Sequence, residues 1–278
     1  MHDLLTGIES ETPDRAPLRV ALGEYDTGWH EPAASLLRAR EMASGAARLK
    51  ARLLVLPEMC TTGFTMEPER WAEPLDGDGP ETIAAIAREH AVWILAGLAL
   101  QDGARPVNAA VLFDNAGHVA AIYRKQRLFA YMGEHEHYTP GDGPVVASID
   151  GVHVGLFVCY DLRFPELFRA VAPEIDAAVV IANWPARRRA HWDVLTRARA
   201  IENQCYVVAV NRTGVADEVD YDGGSVAFDP WGEPVGIGAA EGTGSPRVVD
   251  VDPARVRRVR ERYPFLRELE SWREAQVR

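Results

Sequence analysis

Short apolar runs, each closed by a turn signal or a charge, recur along most of the chain. LRVALGEY, ARLLVLPE, VWILAGLAL, VNAAVLFD, HVAAIYRK, VHVGLFVC, DAAVVIAN, CYVVAVN and GGSVAFDP all have the length and β-branched content of strands. Most of them do not alternate with polar residues, which predicts strands covered on both faces. Helical spacing lies between them, at about 33–49, 80–90, 164–172 and 188–203. PETIAAIAREHA opens with Pro80 and Glu81, a good helix start. FDNAGHVAAIYR and FDPWGEPVG each place a turn between apolar runs and predict hairpins. Strands and helices mixed along the whole length, without repeat or linker, predict one layered α/β (α+β) domain over residues 18–278. Residues 1–17 have no apolar periodicity and read as a flexible N-terminal arm.

Composition narrows the function classes. The chain has 278 residues, 47% of them hydrophobic, enough for a large core. A formal charge of -11 argues against nucleic acid as the main partner, because phosphate binding needs a basic surface. A small anion, which needs only one or two local arginines, remains open. No signal-peptide pattern or membrane-length apolar run is present, so a cytoplasmic protein without membrane contact is expected. Cys60, Cys159 and Cys205 are odd in number and widely spaced, which fits neither a disulfide framework nor a zinc finger. No dinucleotide or phosphate-loop glycine pattern occurs, and no cofactor is expected.

Candidate chemistry sits where apolar runs end. RLLVLP ends in Glu58, AAIYR in Lys125, VGLFV in Cys159 and AAVVIA in Asn183. If these strands share a sheet, their ends share a rim, a common place for ligand sites. Glu, Lys and Cys on one rim make a set of base, cation and nucleophile. Each also has a structural reading: Glu58 as a solvated strand end, Lys125 as part of a basic edge with Arg124 and Arg127, and Cys159 as a small core hydrophobe. His153 is six residues before Cys159 on the same strand, about 20 Å away and too far to be its base. That leaves Glu58 as the candidate base. MGEHEHYTPG carries His135 and His137, with Glu134 and Glu136, but lacks the further ligands of a zinc site, so no metal is expected. DGDGP at 76–80 reads as a turn rather than a calcium loop.

Three blocks in order, LPEMCTTGF, YRKQRLF and GLFVCYDLRFPE, resemble the nitrilase superfamily of carbon–nitrogen hydrolases. The resemblance runs from about Leu18 to RERYPFLRE. It implies a four-layer α-β-β-α sandwich that dimerises through outer helices. MGEHEHYTPGD, ANWPARRRAHW and RARAIENQCYVVAVNR resemble its omega-amidase branch, which hydrolyses the terminal amide of short α-keto acid monoamides such as α-ketoglutaramate. The resemblance implies Cys159 as nucleophile, Glu58 as base, Lys125 and the Tyr160 backbone N–H as oxyanion donors, and a thioester intermediate. It also implies Glu134 as a second glutamate, with Glu136 as its rival. Arg188 matches the branch pattern for the substrate carboxylate, with Arg187 and Arg189 beside it, and Asn183 is a further substrate-binding candidate. Phe64, Tyr131 and Trp184 are candidate pocket walls or core residues, Arg163 a structural partner of Glu166 or Asp161, Cys60 a pocket-wall residue rather than a second nucleophile, and Cys205 an inert thiol opening a core strand. Two alternatives stay open: an N-carbamoyl amino acid amidohydrolase of the same superfamily, and a non-catalytic thiol- or metal-binding scaffold.

Overall fold

The structure is a computed structural model that describes residues 15–236 and 245–268. Its first half runs β1 (Leu18–Leu22), α1 (Pro32–Arg48), β2 (Leu53–Val55), α2 (Pro68–Trp71), α3 (Asp78–His90), β3 (Trp93–Leu100), β4 (Val107–Phe113), β5 (Val119–Arg124) and α4 (Glu134–His137). The second half runs β6 (Val146–Ile149), β7 (Val152–Val158), α5 (Pro165–Val171), β8 (Ala177–Ala182), α6 (Arg189–Asn203), β9 (Tyr206–Asn211), β10 (Thr213–Ala216), β11 (Val219–Asp222) and β12 (Val226–Phe228). β13 (Arg247–Val251) and α7 (Pro253–Arg262) close the described chain. One sheet has the order β13-β1-β2-β3-β4-β5 and the other β12-β9-β8-β7-β6, with β10–β11 as a separate hairpin.

Side-chain parity builds the layers. Along β7, Val154, Leu156 and Val158 enter the core between the sheets, while Phe157 faces α5 and α6. Along β8, Val179 and Ile181 face inward and Val180 and Ala182 outward. In β3, Leu95 faces the second sheet, while Ile94, Ala96 and Leu98 face α1 and α3. The two-residue period of a strand thus makes three apolar layers, and these make the α-β-β-α sandwich.

Helix α1 takes Pro32 in its first turn and buries Ala39, Met42, Ala43 and Ala46, the i, i+3, i+4, i+7 stripe. These small residues let it pack closely on Ile83, Ile86 and Ala87 of α3. Fully burying Ile83 or Ile86 contributes about 1.5–3 kcal/mol each, and Ile86→Ala is the single change expected to open this seam. Helix α3 has Asp78 and Glu81 in its first turn and ends where Ala91 turns left-handed at φ 52°. Asp252 caps α7 through the Ala254 N–H, and Arg260 of α7 donates to the carbonyls of Ala172 and Ile175 at 2.7 and 2.8 Å.

All nine expected strands form, and the four expected helices agree to within about two residues. Strands β6, β10, β11 and β13 and helices α2, α4 and α7 escaped the pattern. The hairpin segment TGVADEVDYD carries four acidic residues and hides its alternation, and α7 buries only Val256 and Val259 among its large apolar side chains. The second arm of FDPWGEPVG is a single bridge, Phe228 to Pro234, rather than a strand. Arg15, assigned to the loose arm, pairs with Asp176 at 2.9 Å; residues 1–14 of that arm lie outside the described residues. No helix of the described residues is long and apolar enough to cross a membrane.

Candidate active site

The rim expected from one sheet is shared by two. Glu58 follows β2 and Lys125 follows β5 in the first sheet, whereas Cys159 follows β7 and Asn183 follows β8 in the second. The site therefore lies where both sheets end together. Glu58 comes close to the sheet because β3 carries Gly97 beneath it. A Cβ at Gly97 would lie 2.4 Å from Glu58 Cα and 2.5 Å from Pro57 O, both backbone atoms. Met59, next in the chain, has φ 41°, which turns the segment back at once.

Glu58, Lys125 and Glu134 are completely buried. Lys125 Nζ donates to Glu58 Oε1 at 2.8 Å and to both oxygens of Glu134 at 3.0 and 2.9 Å. Burial acts against the ammonium, but Glu134 and Glu58 outweigh it and hold its pKa above the ordinary lysine value. Glu134 also accepts the Phe129 N–H at 2.5 Å, while Glu136 is exposed on the opposite side of the same short helix. Asn108 of β4 donates to Glu58 Oε1 at 2.8 Å and to Glu134 Oε1 at 2.7 Å. The Asn183 N–H donates to Glu58 Oε2 at 2.8 Å, and the Asn183 side chain donates to the Glu58 carbonyl at 2.7 Å.

Cys159 has φ 45°, a left-handed conformation that costs a non-glycine residue on the order of 1–2 kcal/mol. It is the first residue of a 3-10 turn, Cys159–Arg163, so its thiol stands at the strand end rather than in the sheet face. Asp161 holds this turn. Its carboxyl accepts from the Val158 N–H at 3.0 Å, the Arg127 N–H at 2.9 Å and the Tyr123 hydroxyl at 2.8 Å. Asp161 thus ties the Cys159 turn to the segment that carries Lys125. Burial pushes the Cys159 thiol well above its ordinary pKa, and the Glu58 charge adds to this while Lys125 opposes it. The sulfur lies 3.9 Å from the Asn183 carbonyl oxygen.

A cleft of about 500 Å³ opens over Cys159 and Lys125. Phe64, Phe129, Met132 and Trp184 give it apolar walls, and the β10–β11 hairpin adds Val219 and Tyr221. Arg163, Arg187 and Arg188 also line it, and no Asp or Glu does. Arg188 lies half-buried with its guanidinium 5.1 Å over the Phe129 ring, and burial lowers its pKa. Among the described residues no carboxylate pairs with Arg188, whereas Arg189 pairs with Asp222 at 3.0 Å.

Of the residues singled out from sequence, Glu58, Lys125, Glu134, Cys159, Asn183, Trp184, Phe64 and Arg188 converge here, and Tyr160 lines the cleft one position after the thiol. Tyr131 does not: it is 80% exposed and outside the cleft lining, and its neighbours Phe129 and Met132 take that place. Arg163 does not pair with Asp161 or Glu166; it contacts His191 at 3.2 Å and stacks over Trp184. His135 and His137 lie on a helical turn rather than an extended segment, and the described residues hold no cluster of three His, Cys, Asp or Glu fit for a metal. Cys60 is not a pocket wall: it is fully buried in the core beneath α1 and α3 and outside the cleft lining. Cys205 is buried too, and burial pushes the two thiols up to about 12 and about 11. Sequence reasoning missed Asn108, Asp161 and Tyr221. A lone amide inside the apolar run VNAAVLF was the available signal for Asn108.

The chain belongs to the carbon–nitrogen hydrolase family, whose sequence profile matches residues 19–261. The 2-oxoglutaramate amidase of Bacillus subtilis is 33% identical over 221 residues, covering 78% of this chain and 85% of that protein. The omega-amidase YafV of Escherichia coli is 36% identical over 223 residues, covering 80% and 85%. Among solved structures, XC1258 of Xanthomonas campestris, a CN-hydrolase superfamily protein with an arsenic adduct in its active site, superposes with a TM-score of 0.83. It is 30% identical and covers 91% of this chain and 97% of its own.

Proposed function

We propose that this protein releases ammonia from the terminal amide of small α-keto acid monoamides of the 2-oxoglutaramate type, through a cysteine thioester. One observation carries the reading: a half-buried Arg188, without a carboxylate partner among the described residues, stands in the same small cleft as Cys159, and no Asp or Glu lines that cleft. A ligand with an amide at one end and a carboxylate at the other satisfies both. The names of the relatives from Bacillus subtilis and Escherichia coli support the same substrate class.

The steps follow from the contacts. Glu58 takes the Cys159 proton as sulfur attacks the amide carbon. The new oxyanion meets Lys125 Nζ and the Tyr160 backbone N–H, which lies in the first turn of a helical segment and has no intrahelical acceptor. Glu58 passes the proton to the nitrogen, the C–N bond breaks and ammonia leaves. A water then gives its proton to Glu58 and attacks the thioester, and the proton returns to sulfur as the acid departs. Glu134 holds Lys125 in place. Asn183 and Trp184 shape the amide end, and Phe64 and Phe129 cover it from water.

Three unpaired thiols accord with a cytoplasmic setting. The exposed Val194 and Ile201 of α6, with Trp231 and Phe265 also exposed, support a homodimer through this outer layer. Sedimentation of the purified protein tests that. The deciding assay for function is ammonia release from 2-oxoglutaramate, succinamate, butyramide and an N-carbamoyl amino acid. Preference for the first two supports the reading. Carbon dioxide release from the last, without turnover of the others, overturns it in favour of carbamoyl hydrolysis.

A further inference from the structure

Glu58 as the base leaves unstated which of its oxygens carries the proton. The polar network around it answers. Asn108 Nδ2 reaches Glu58 Oε1 at 2.8 Å and Glu134 Oε1 at 2.7 Å, and Lys125 Nζ reaches the same two oxygens at 2.8 and 3.0 Å. Two donors and two acceptors close a ring of four heavy atoms. Turning the amide over would set Oδ1 against two carboxylate oxygens, so the network fixes its orientation. Asn108 Oδ1 itself is buried without a partner among the described residues. An orphaned acceptor inside the fold is costly, and an apolar residue in this strand would remove the cost. What the asparagine supplies is its NH2 group.

We infer that Asn108 is a positioning residue: with Lys125 it occupies Oε1 of Glu58 and so reserves Oε2 for the proton of Cys159. The inference rests on the amidase reading above and deepens it. An oxygen that already accepts two hydrogen bonds has both in-plane lone pairs engaged. Among the described residues Oε2 accepts only from the Asn183 N–H, at 2.8 Å, which leaves its second lone pair for the thiol proton. The carbonyl of the same Asn183 contacts the Cys159 sulfur at 3.9 Å, so the residue that holds Oε2 also touches the nucleophile. In the first step the S–H bond breaks and the Oε2–H bond forms; in the second that O–H breaks as the N–H of ammonia forms. The charged and titratable groups facing Glu58 are Lys125, Glu134, Cys159, Tyr138 and Tyr221, and none is removed by changing Asn108.

The test compares kcat/KM against pH on 2-oxoglutaramate for the wild type, Asn108→Leu, Asn108→Ser and Glu58→Gln. Losing a donor destabilises the carboxylate anion. The acidic limb of Asn108→Leu should therefore move to higher pH by about one unit, with the plateau kcat down about tenfold. Asn108→Ser, which keeps one O–H donor, should move less. KM should hold within about twofold, because Asn108 lies below the cleft and not in its lining. A merely structural role lowers kcat and leaves the limb where it is, and that result overturns the inference. If Asn108→Leu does not fold, the limb of Asn108→Ser decides. Substantial turnover by Glu58→Gln removes Glu58 as the base and with it the reading on which the inference rests; abolished turnover with an unmoved limb in the Asn108 variants sinks the inference alone.

Discussion

Replacing Arg188 with alanine separates substrate recognition from the chemistry beneath it. The guanidinium lies half-buried over Phe129, and no carboxylate of the described residues answers its charge. A substrate carboxylate placed there gains a charge-assisted hydrogen bond of roughly 1.5–3 kcal/mol, so Arg188→Ala should lower kcat/KM on 2-oxoglutaramate about 10- to 100-fold beyond any loss on butyramide. The stacking on Phe129 contributes about 0.5–1 kcal/mol, and losing it loosens the wall for both substrates by a few-fold at most. The ratio of the two losses therefore isolates the carboxylate contact. Arg188→Lys should restore only part of the preference, since a lysine is a point charge without the planar fork. The assay is ammonia release with both substrates at several concentrations, repeated at low and high salt. A partly closed pocket should keep most of the preference in salt. Equal losses on both substrates would refute the argument, and the anchor would then be Arg163 or Arg187, which also line the cleft, and not the paired Arg189.

Cys159→Ala should abolish turnover in a folded protein, whereas Cys60→Ala and Cys205→Ala should keep most of it, because burial holds both of those thiols protonated; an active Cys159→Ala would end the thiol mechanism. Gly97→Ala should cost on the order of 1–3 kcal/mol of stability and about 100-fold in kcat, as the nearest atoms its methyl group meets are backbone atoms of Pro57, Glu58 and Met59. Near-normal turnover by that variant would show that the Glu58 segment tolerates displacement. Asp161 tests the fold's pH dependence: burial raises its carboxyl to about 6 against the pull of its hydrogen-bond donors. A raised folded pKa contributes stability that is full below the ordinary aspartate range and is lost as pH rises through about 6. The stability advantage of the wild type over Asp161→Asn should therefore shrink by about 2 kcal/mol from pH 4 to pH 7.5. Urea unfolding at the two pH values measures it, and a constant difference would contradict the assignment.

What the sequence revealed and what it hid divide along physical lines. Apolar runs such as WILAGLAL and AAVVIA are locally unambiguous, and a residue that ends such a run must sit at a strand end, which located Glu58, Lys125, Cys159 and Asn183. The run alone cannot say which sheet it joins, so the site looked like one rim and is the meeting of two. Tyr131 was misjudged for a related reason: three aromatic or thioether side chains within four residues, Phe129, Tyr131 and Met132, are equivalent on paper. The 3-10 turn Ala130–Met132 decides which of them faces the cleft. Asn108 and Asp161 act by hydrogen bonds across 26 to 50 residues of chain, and no local pattern carries such a pairing.

In the proposed mechanism the second glutamate also has a physical role. At the base of the cleft two carboxylates and one ammonium lie fully buried, and the partly buried Cys159 thiol faces the cleft above them. Passing the thiol proton to Glu58 moves a negative charge from oxygen to sulfur without adding one to the interior, which is far less costly than losing that proton to solvent from a buried site. The Glu58 charge opposes ionisation of Cys159 until Glu58 itself takes the proton, so the two events belong to one step. That step, however, neutralises one of the two carboxylates that keep Lys125 charged. Glu134 contacts Lys125 through both oxygens, at 3.0 and 2.9 Å, and is itself held by Phe129 and Asn108. With Glu134 in place the ammonium keeps an anionic partner after Glu58 is protonated, and it remains a full positive charge when the oxyanion forms.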